Sequence, residues 1–528
     1  MNIYDIEKER LNVQHKIDES KSMFERNKLG QYATPPGLAS EIVDFVLTIR
    51  KKMGKKDEVI RFLEPAIGTG SFYSALLQQV ENEQVEIALG IEKDEEIVKY
   101  SQNLWKGWNL DIRNGDFTQE VNSKDLFNLL ITNPPYVRHH HLDKDYKELL
   151  KNAVKEQLGL NISGLAGLYC YFILLSHKWL ENDSIAAWLI PSEFMDVNYG
   201  RVIRSYLTEK VTVTHIHKYD PKDLRFDDAL VTSSVVVYQK KTPCDSDMVT
   251  FSFGGSPKKP LVTKIVSIGE LKKIDKWTVF LTPNFSKENN KEDQTIPILS
   301  EFFDIKRGIA TGNNEFFILS KDDAVQKGIP FECLRPILPP PRILKNDIIE
   351  SGENGYPLLN ENLVVIDCDL PEEIIQERYP DFWEYLQKGK ELGVPNGYLT
   401  SKRKIWYSQE KRQPAPFLCT YMGRGKGDSN PFRFIWNKSR AIATNVFLLL
   451  YPKGSLKKAL NNDPSLYEAV FNALQSIGHE QFIKAGREYG GGLKKVEPKE
   501  LGKISAEKLV RIMGVLESEQ PQQLNLVL

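Results

Sequence analysis

Hydrophobic residues follow two different spacings along the first half of the chain. Between about residues 28 and 242, short apolar runs alternate with segments in which apolar residues recur every three or four positions. The short runs are typical of buried strands, and the longer spacing is typical of amphipathic helices. Strands that alternate with helices predict a mainly parallel sheet covered on both faces. The predicted strands are residues 59–63, 85–91, a weaker strand ending near 114, 126–132, 185–190, 211–217 and 231–238.

The two ends of this region predict further features. The last two strands have little helical sequence between them, which predicts an antiparallel hairpin at one edge of a seven-stranded sheet. Ahead of the sheet, sparse apolar positions in residues 1–28 predict an amphipathic helix lying on the domain. Composition changes near residues 242–247, and beyond them the alternation is lost and prolines cluster. We therefore predict an α/β domain, residues 1–244, followed by an α+β domain, residues 245–528.

Length and composition agree with two soluble domains. At 528 residues the chain exceeds the length at which one hydrophobic core keeps growing. No apolar run reaches transmembrane length, and the charged amino terminus lacks the apolar segment of a signal peptide. The five cysteines are scattered and never spaced as C-x-x-C, which argues for a reducing compartment and against a zinc ribbon. We expect a cytoplasmic protein with no membrane partner and, because three successive histidines at 139–141 cannot all face one ion, no metal.

The stretch with the clearest chemistry is an apolar run that ends in Asn133-Pro134-Pro135-Tyr136. Two consecutive prolines supply no backbone N–H, so the strand must stop at a rigid corner. Open α/β sheets place ligands at the carboxyl ends of their strands. There the Asn133 side-chain oxygen and the Pro134 carbonyl could accept both hydrogens of a planar amine and localise its lone pair, while Tyr136 stacks on the ring. The corner therefore predicts methyl transfer to an amino group; the alternative is a turn that only ends a strand.

Glycines and carboxylates follow the first three predicted strands. Gly68 and Gly70 lie between a strand and a helix, where glycines let a ligand approach the backbone. The third glycine of a dinucleotide site and the Gly-Lys-Ser/Thr ending of a phosphate loop are both missing. Glu92 ends the second strand, where it could accept from both ribose hydroxyls. Asp116 ends the third, where it could accept from an adenine amino group with Phe117 against the ring. A single acidic residue at the end of a strand is usually a solvated cap. Polar or glycine residues at the ends of three successive strands instead indicate a cofactor site.

The order of these motifs resembles a known family. Glu64-Pro65-Ala66-Ile67-Gly68-Thr69-Gly70 followed by Asn133-Pro134-Pro135-Tyr136 resembles the S-adenosylmethionine-dependent amino-methyltransferases. Because Gly30-Gln31-Tyr32-Ala33-Thr34-Pro35 precedes both, the chain resembles the gamma class of DNA adenine-N6 methyltransferases of type II restriction–modification systems. The resemblance covers about residues 28–240 and is looser beyond them. That class usually has Asp or Asn at the position of Glu64.

The resemblance implies a Rossmann-like, S-adenosylmethionine-dependent methyltransferase domain and a carboxyl-terminal target-recognition domain. The implied cofactor residues are Tyr32, Thr34, Glu64, Ala66, Gly68 and Gly70 on the methionine side, Glu92 at the ribose, and Asp116 and Phe117 at the adenine. The implied catalytic turn is Asn133, Pro134, Pro135 and Tyr136. Phe226 would press on the flipped adenine from the face opposite Tyr136; the alternative is a core aromatic that caps the edge hairpin.

A basic, aromatic segment predicts where DNA would bind. Residues 401–450 hold ten lysines and arginines but only two acids, Glu410 and Asp428, with aromatic residues interleaved. Basic groups neutralise phosphates and rings stack on bases, so the pattern is typical of a nucleic-acid interface; the alternative is a solvated face over an ordinary core. The predicted DNA contacts are Lys402, Arg403, Arg424, Lys426, Arg433 and, after the catalytic turn, Arg138. For Arg138 a plain surface charge is the alternative.

The predicted function is sequence-specific methylation of adenine N6 in duplex DNA, which would protect the site from a cognate restriction endonuclease. Methylation of RNA or of a protein glutamine is a rival, because the Asn-Pro-Pro-Tyr turn can serve any planar amide or amine. A bifunctional restriction enzyme is another, although no Pro-Asp…Glu-x-Lys nuclease arrangement is evident. A non-catalytic DNA-binding subunit is a third, and the intact Asn133 turn argues against it.

Overall fold

The computed structural model of the chain divides into two compact units. The first comprises Met1–Asn290 with Tyr489–Gly491, and the second comprises Lys291–Glu488 with Gly492–Leu528. The structure describes residues 2–22, 25, 30–120, 126–220, 233–281, 297–352, 354–423, 431–478, 481–482, 486–489 and 493–518. Within these ranges, no helix combines the length and the apolar character needed to cross a membrane.

The first unit is built on a nine-stranded sheet. Its strands are β1 Ile60–Glu64, β2 Val85–Glu92, β3 Asp111–Asn114, β4 Phe127–Thr132, β5 Leu180–Pro191, β6 Thr212–Lys218, β7 Ser233–Gln239, β8 Met248–Ser256 and β9 Lys259–Ser267. Their order in the sheet is β3-β2-β1-β4-β5-β7-β6-β8-β9. The first five of these neighbours run parallel, and β7 is antiparallel to both β5 and β6. The mainly parallel α/β sheet and its antiparallel pair are as predicted.

Two strands extend this sheet beyond the prediction. β8 pairs parallel to β6, and β9 pairs antiparallel to β8 as the edge strand, so the β6–β7 pair lies inside the sheet and not at its edge. Residues 242–247, predicted as a linker, form the turn between β7 and β8. β8 joins the sheet because it buries Val249 and Phe251 in the core of the first unit. The unit therefore ends near residue 290 and not at 244.

Helices cover both faces of the sheet. They are α1 Ile3–Ser20, α2 Pro36–Lys52, α3 Ser71–Leu77, α4 Glu95–Leu104, α5 Lys144–Leu158, α6 Leu168–Leu175, α7 Arg201–Ser205 and α8 Ile268–Lys272. All six residues of β4 are buried. Leu130 packs in the core on one face, and Leu129 and Ile131 pack in the core on the other. Both cores thus fix the position of β4 and of the corner that follows it.

The second unit has the α+β character that the sequence predicts. Its strands are β10 Phe303–Arg307, β11 Ile318–Ser320, β12 Leu334–Ile337, β13 Ile348–Ile349, β14 Leu363–Ile366, β15 Phe417–Thr420, β16 Met422–Gly423, β17 Phe434–Asn437, β18 Phe447–Pro452, β19 Arg487–Tyr489 and β20 Leu493–Lys495. Its helices are α9 Leu299–Phe302, α10 Asn314–Phe317, α11 Lys321–Gln326, α12 Glu372–Arg378, α13 Pro380–Glu391, α14 Gly454–Asn462, α15 Leu466–Gln475, α16 Pro498–Leu501 and α17 Glu507–Ser518. A five-stranded sheet, β10-β18-β15-β17-β13, is accompanied by the three-stranded sheets β11-β14-β12 and β16-β20-β19.

Two of the cysteines pair in this unit. Cys333 and Cys368 form a disulfide, with their Cα atoms 4.4 Å apart. Cys333 directly precedes β12 and Cys368 follows β14, and these two strands are antiparallel neighbours. The cysteine spacing, from which a reducing compartment is predicted, gives no sign of this pair, because the strand pairing joins positions that are 35 residues apart in the chain.

Candidate active site

The carboxyl ends of β1, β2, β3 and β4 lie side by side because these strands are parallel neighbours. Beside them is a cavity of about 540 Å³, a size typical of small-molecule and cofactor sites. Of the predicted site residues, those lining it are Tyr32, Ala66, Gly68, Glu92, Asp116, Phe117, Asn133 and Pro135. Thr34, Glu64, Gly70, Pro134 and Tyr136 lie outside the lining.

The loop after β1 is shaped by its two glycines. Gly68 has a φ of +54°, and its N–H donates to the Glu92 carboxylate at 3.0 Å. Gly70 has a φ of +88°, and a Cβ there would lie 2.7 Å from Trp105 Nε1. That same Nε1 donates to the carbonyl of Thr69 at 3.0 Å. Gly70 thus serves the packing of the loop on Trp105, while Gly68 faces the cavity.

Two carboxyl groups lie next to this loop: Glu92, which lines the cavity, and Glu64, which lies outside the lining. Glu92 accepts from the N–H groups of Gly68 and Asp94, yet burial raises its pKa above the ordinary value. Glu64 is 2% exposed, and one of its oxygens is without a partner among the described atoms. Burial raises the Glu64 pKa well above the ordinary value, although the Tyr73 N–H and the Arg10 charge oppose the shift. A cation entering the cavity would therefore favour ionisation of these carboxyls.

Asp116 is hydrogen-bonded to other side chains, and Phe117 packs against neighbouring rings. Burial acts to raise the pKa of Asp116, but hydrogen bonds from Thr118, Tyr146 and Lys93 lower it below the ordinary value. Tyr146 donates to Asp116 at 2.7 Å and Lys93 donates at 3.0 Å. Phe117 is buried, and its ring centre lies 5.3 Å from that of Phe172 and 5.5 Å from that of Trp179. Both residues therefore form a rigid wall of the cavity.

The Asn133 side chain is oriented by the segment that precedes α2. Its Nδ2 donates to the main-chain oxygen of Tyr32 and to Thr34 Oγ1, each at 3.2 Å. Because a carbonyl oxygen can only accept, the amide nitrogen must face Tyr32 and the amide oxygen must face away from it. Asn133 Oδ1 has no hydrogen-bond partner among the described atoms. The corner thus presents an oriented acceptor that the described residues leave unused.

The rest of the corner is braced by close contacts. Gly30 has a φ of +66°, and a Cβ there would lie 2.6 Å from the backbone nitrogen of Tyr136. The Tyr136 N–H donates to the Gly30 carbonyl at 3.3 Å. Tyr136 also donates its hydroxyl proton to the Leu189 carbonyl at 2.9 Å, and burial raises its pKa above the ordinary range. Its ring lies 6.0 Å from that of Tyr32, tilted by 41°.

Several residues that line the cavity were not predicted from the sequence. Gln14, Asp18 and Lys21 belong to α1 or the residue after it, and Gln31 and Tyr146 come from a loop and from α5. Polar residues on an amphipathic helix look the same whether they face solvent or a cleft. The signal that could have found the α1 residues is their recurrence every three or four positions, which places them on one helix face.

The predicted DNA contacts fall into three groups. Arg138 and Lys402 are exposed, and the Lys402 ammonium lies 3.6 Å from the centre of the Tyr398 ring. Arg403 donates to the carbonyls of Ala310 and Thr311, at 2.8 Å each. Arg433 donates to the Asp347 carboxylate at 2.6 Å and to the Leu344 carbonyl at 2.8 Å. Phe226, Arg424 and Lys426 lie outside the described residues.

The aromatic residues interleaved with this basic segment were misinterpreted. Tyr407, Phe417, Tyr421, Phe432 and Phe434 are buried in the cores of the second unit. These rings cannot stack on bases, because they already pack against neighbouring side chains. For these aromatic residues, the alternative interpretation, a solvated basic face over an ordinary core, is correct.

No cluster of three or more His, Cys, Asp or Glu side chains suited to a metal ion occurs in the part of the chain that the structure describes.

Comparisons with known proteins agree with this architecture. Residues 37–224 match the Eco57I restriction-modification methylase family, and residues 275–525 match the C-terminal domain of type II methyltransferase M.Eco57I. Type II methyltransferase M.AccI of Acinetobacter calcoaceticus is 27% identical over 515 residues, which cover 93% of this chain and 87% of M.AccI. Type II methyltransferase M.XamI of Xanthomonas campestris pv. amaranthicola is 23% identical over 487 residues, which cover 90% and 86% of the two chains.

A solved structure has a similar fold. The alignment with the Type IIL restriction-modification enzyme MmeI, determined in complex with DNA, gives a TM-score of 0.51 at 12% identity and covers 92% of this chain and 73% of that one. At this identity the similarity concerns the fold alone. The first unit has the mainly parallel α/β sheet, with an antiparallel pair, that the resemblance implies. The matched families are a restriction-modification methylase and the C-terminal domain of a type II methyltransferase, and both relatives are type II methyltransferases. These matches confirm the resemblance of the chain to the methyltransferases of type II restriction–modification systems.

Proposed function

We propose that this enzyme transfers a methyl group from S-adenosylmethionine to N6 of an adenine within a specific sequence of duplex DNA, and that the product resists a separately encoded restriction endonuclease. The observation that carries the proposal is the unused acceptor at Asn133. Its amide nitrogen is held by Tyr32 and Thr34, and its oxygen points away from them and has no partner among the residues that the structure describes. An acceptor held this way fits one N–H of a planar amine.

The cavity suits the cofactor by its size and its donor set. Glu92 would accept from the ribose, Asp116 and Phe117 would flank the adenine, and Tyr32, Ala66 and Gly68 would line the methionine part, since all six line one cavity. One Glu64 oxygen has no partner in the described part of the chain, and burial raises the Glu64 pKa. A nearby cationic ligand would therefore relieve the cost of ionising Glu64. When bound, the cofactor supplies an electrophilic methyl group on a cationic sulfur.

The corner residues would orient the amine. An exocyclic base amine is a weak nucleophile because its lone pair is delocalised into the ring. Asn133 Oδ1 and the Pro134 carbonyl would accept its two N–H bonds and turn the lone pair toward the methyl group. The rate gain would come mainly from alignment, and no general base is assigned, because the proton is lost readily once the amine carries the new methyl group.

Reaching that corner requires the adenine to leave the helix. Extrusion costs a few kcal/mol, and stacking on Tyr136 would offset about 1–3 kcal/mol of it. The Tyr136 ring is held in place by its hydroxyl bond to Leu189. We infer that Phe226 stacks on the opposite face of the adenine and that Arg138 contacts a DNA phosphate. The second unit would read the target sequence, with exposed Lys402 and the basic residues Arg424 and Lys426 near the DNA backbone.

The test is methylation in vitro with a deuterated methyl donor and a mixture of long duplex DNAs, followed by digestion and mass spectrometry of the nucleosides. Labelled N6-methyldeoxyadenosine from the DNA supports the proposal. Labelled N4-methyldeoxycytidine would refute the choice of base but keep the chemistry of the corner. Parallel reactions with RNA and with a glutamine-containing protein substrate should stay unlabelled. Label in either one, without label in DNA, would refute the proposal.

A further inference from the structure

We propose, on the basis of the function proposed above, that helix α1 is a wall of the cofactor site, with Arg10 and Lys21 as positioning residues. The family match to the methylase domain begins at residue 37, so it does not include this helix. Three side chains of α1, Gln14, Ile17 and Asp18, line the cavity together with Lys21 just beyond the helix. A helix that only covered the domain would have no reason to present polar groups to the cleft.

Arg10 anchors the helix to the glycine loop. Its guanidinium is buried, with 1% of the residue exposed. It donates to the Glu7 carboxylate at 2.7 and 2.8 Å, to Thr69 Oγ1 at 3.0 Å and to Ser71 Oγ at 2.8 Å. Thr69 and Ser71 flank Gly70, so the position of the loop depends on this contact. A buried charge gains less stability than apolar packing does. The buried position of Arg10 therefore favours a role in positioning the loop over a role in stability alone.

A chain of hydrogen bonds leads from Arg10 to the catalytic corner. Ser71 Oγ, which accepts from Arg10, donates to the Thr34 carbonyl at 3.2 Å. Thr34 Oγ1 in turn accepts from Asn133. Arg10 is thus two hydrogen-bonded residues away from the group that would hold the target amine. A shift of the guanidinium would disturb both the loop and the Asn133 orientation.

Lys21 holds the other end of the helix against the cavity. Its ammonium forms a short ion pair with Asp94 and a 3.0 Å hydrogen bond to Gln31 Oε1. Asp94 also donates its N–H to Glu92, the predicted ribose ligand. The Lys21 and Asp94 side chains are 17% and 20% exposed. Through this pair, the last turn of α1 is fixed over the part of the cavity next to Glu92 before any ligand arrives.

The experiment measures binding of S-adenosylmethionine to the full chain by calorimetry. We expect K21M to weaken binding roughly tenfold, because the wall must then be ordered upon binding, and K21R to recover at least part of the loss. K16M is the matched control, since Lys16 lies on the same helix and is exposed, and it should bind as the wild type does. R10K, which cannot make the forked contact to Glu7 and both hydroxyls, should weaken binding and also lower kcat at saturating cofactor.

The outcomes separate two failures. If the wild type binds the cofactor but K21M and R10K bind as tightly as K16M, α1 is not part of the site, and the proposed function stands. If the wild type does not bind S-adenosylmethionine, the proposed function itself is wrong and the role of α1 falls with it. Should R10K fail to fold, as circular dichroism would reveal, the comparison of K21M with K16M still decides, because Lys21 lines the cavity with a partly exposed side chain and is not in the core.

Discussion

The side-chain amide of Asn133 donates to the main-chain oxygen of Tyr32 at 3.2 Å, across 101 positions of sequence. This contact couples the strand-end corner to the segment ahead of α2. It also decides which way the amide faces, because only the nitrogen can donate to a carbonyl. The fold, and not the substrate, therefore fixes the direction in which the Asn133 oxygen can accept a hydrogen bond.

Replacing Asn133 should remove catalysis without removing the fold. We expect N133A to lower kcat on the order of 100- to 1,000-fold, as the loss of one oriented polar group in an active site typically does, with a near-normal melting temperature. The matched control is N128A on the same strand. Asn128 accepts from the Arg61 N–H and donates to the Val59 carbonyl, so N128A should cost about 1–3 kcal/mol of stability with normal kcat per folded molecule. Turnover of N133A within a few-fold of the wild type would refute the assigned role.

Gly30 should not tolerate a methyl group. G30A would place a Cβ 2.6 Å from the Tyr136 backbone nitrogen at a φ of +66°, so the corner must move. We expect a lower melting temperature together with a loss of kcat. G37A is the control, since no atom of the described residues lies within 4 Å of a Cβ there and the position is helical. This variant should be neutral or stabilising by about 0.5–1 kcal/mol. Equal melting temperatures and equal activities for the two variants would contradict this packing.

Glu64 should make stability depend on pH. Burial raises its pKa well above the ordinary value, so the folded protein keeps a proton that the unfolded chain releases. Stability should therefore fall as the pH rises from the ordinary pKa of a glutamate to the raised one. E64Q cannot ionise, and without cofactor its melting temperature should exceed that of the wild type by more at pH 8 than at pH 5. E156Q, at an exposed position, should show no such pH-dependent gain; a constant E64Q difference across this range would mean that Glu64 is not held protonated.

Lys402 and Arg433 should behave differently although both were predicted DNA contacts. Lys402 is exposed on the Tyr398 ring, so K402A should weaken DNA binding and reduce the slope of log K against log salt by about 1, without changing the melting temperature. Arg433 is bonded to Asp347 and to main-chain oxygens, so R433A should instead cost about 1–3 kcal/mol of stability. A stable R433A with weakened DNA binding would show that this guanidinium faces DNA after all.

The parts of the fold that the sequence predicts are those set by local pattern. β4 is an unbroken apolar run stopped by two prolines, and both properties can be read without knowing any tertiary contact. Glu92 ends β2, and Asp116 lies two residues beyond the end of the neighbouring parallel strand β3, so the topology alone brings them to one edge of the sheet. Those inferences needed only the strand pattern and the rule for where parallel strands end.

The parts that the sequence does not predict depend on long-range contacts. Arg10 looks like one charge among many on a polar helix, and only its contacts with Thr69 and Ser71 reveal its buried position. The aromatic residues near Phe417 and Phe434 look alike whether they face a core or a nucleobase. β8 and β9 continue the sheet without a helix between them, so the loss of alternation was taken for a domain boundary.

The most direct test of the central claim is long-read modification mapping of genomic DNA from a host free of adenine methylation that expresses either the wild-type chain or N133A. The account predicts N6-methyladenine at every copy of one short recurring sequence with the wild type and none with N133A. Unmodified DNA with a soluble, cofactor-binding wild-type protein, or an identical pattern in both strains, would contradict it.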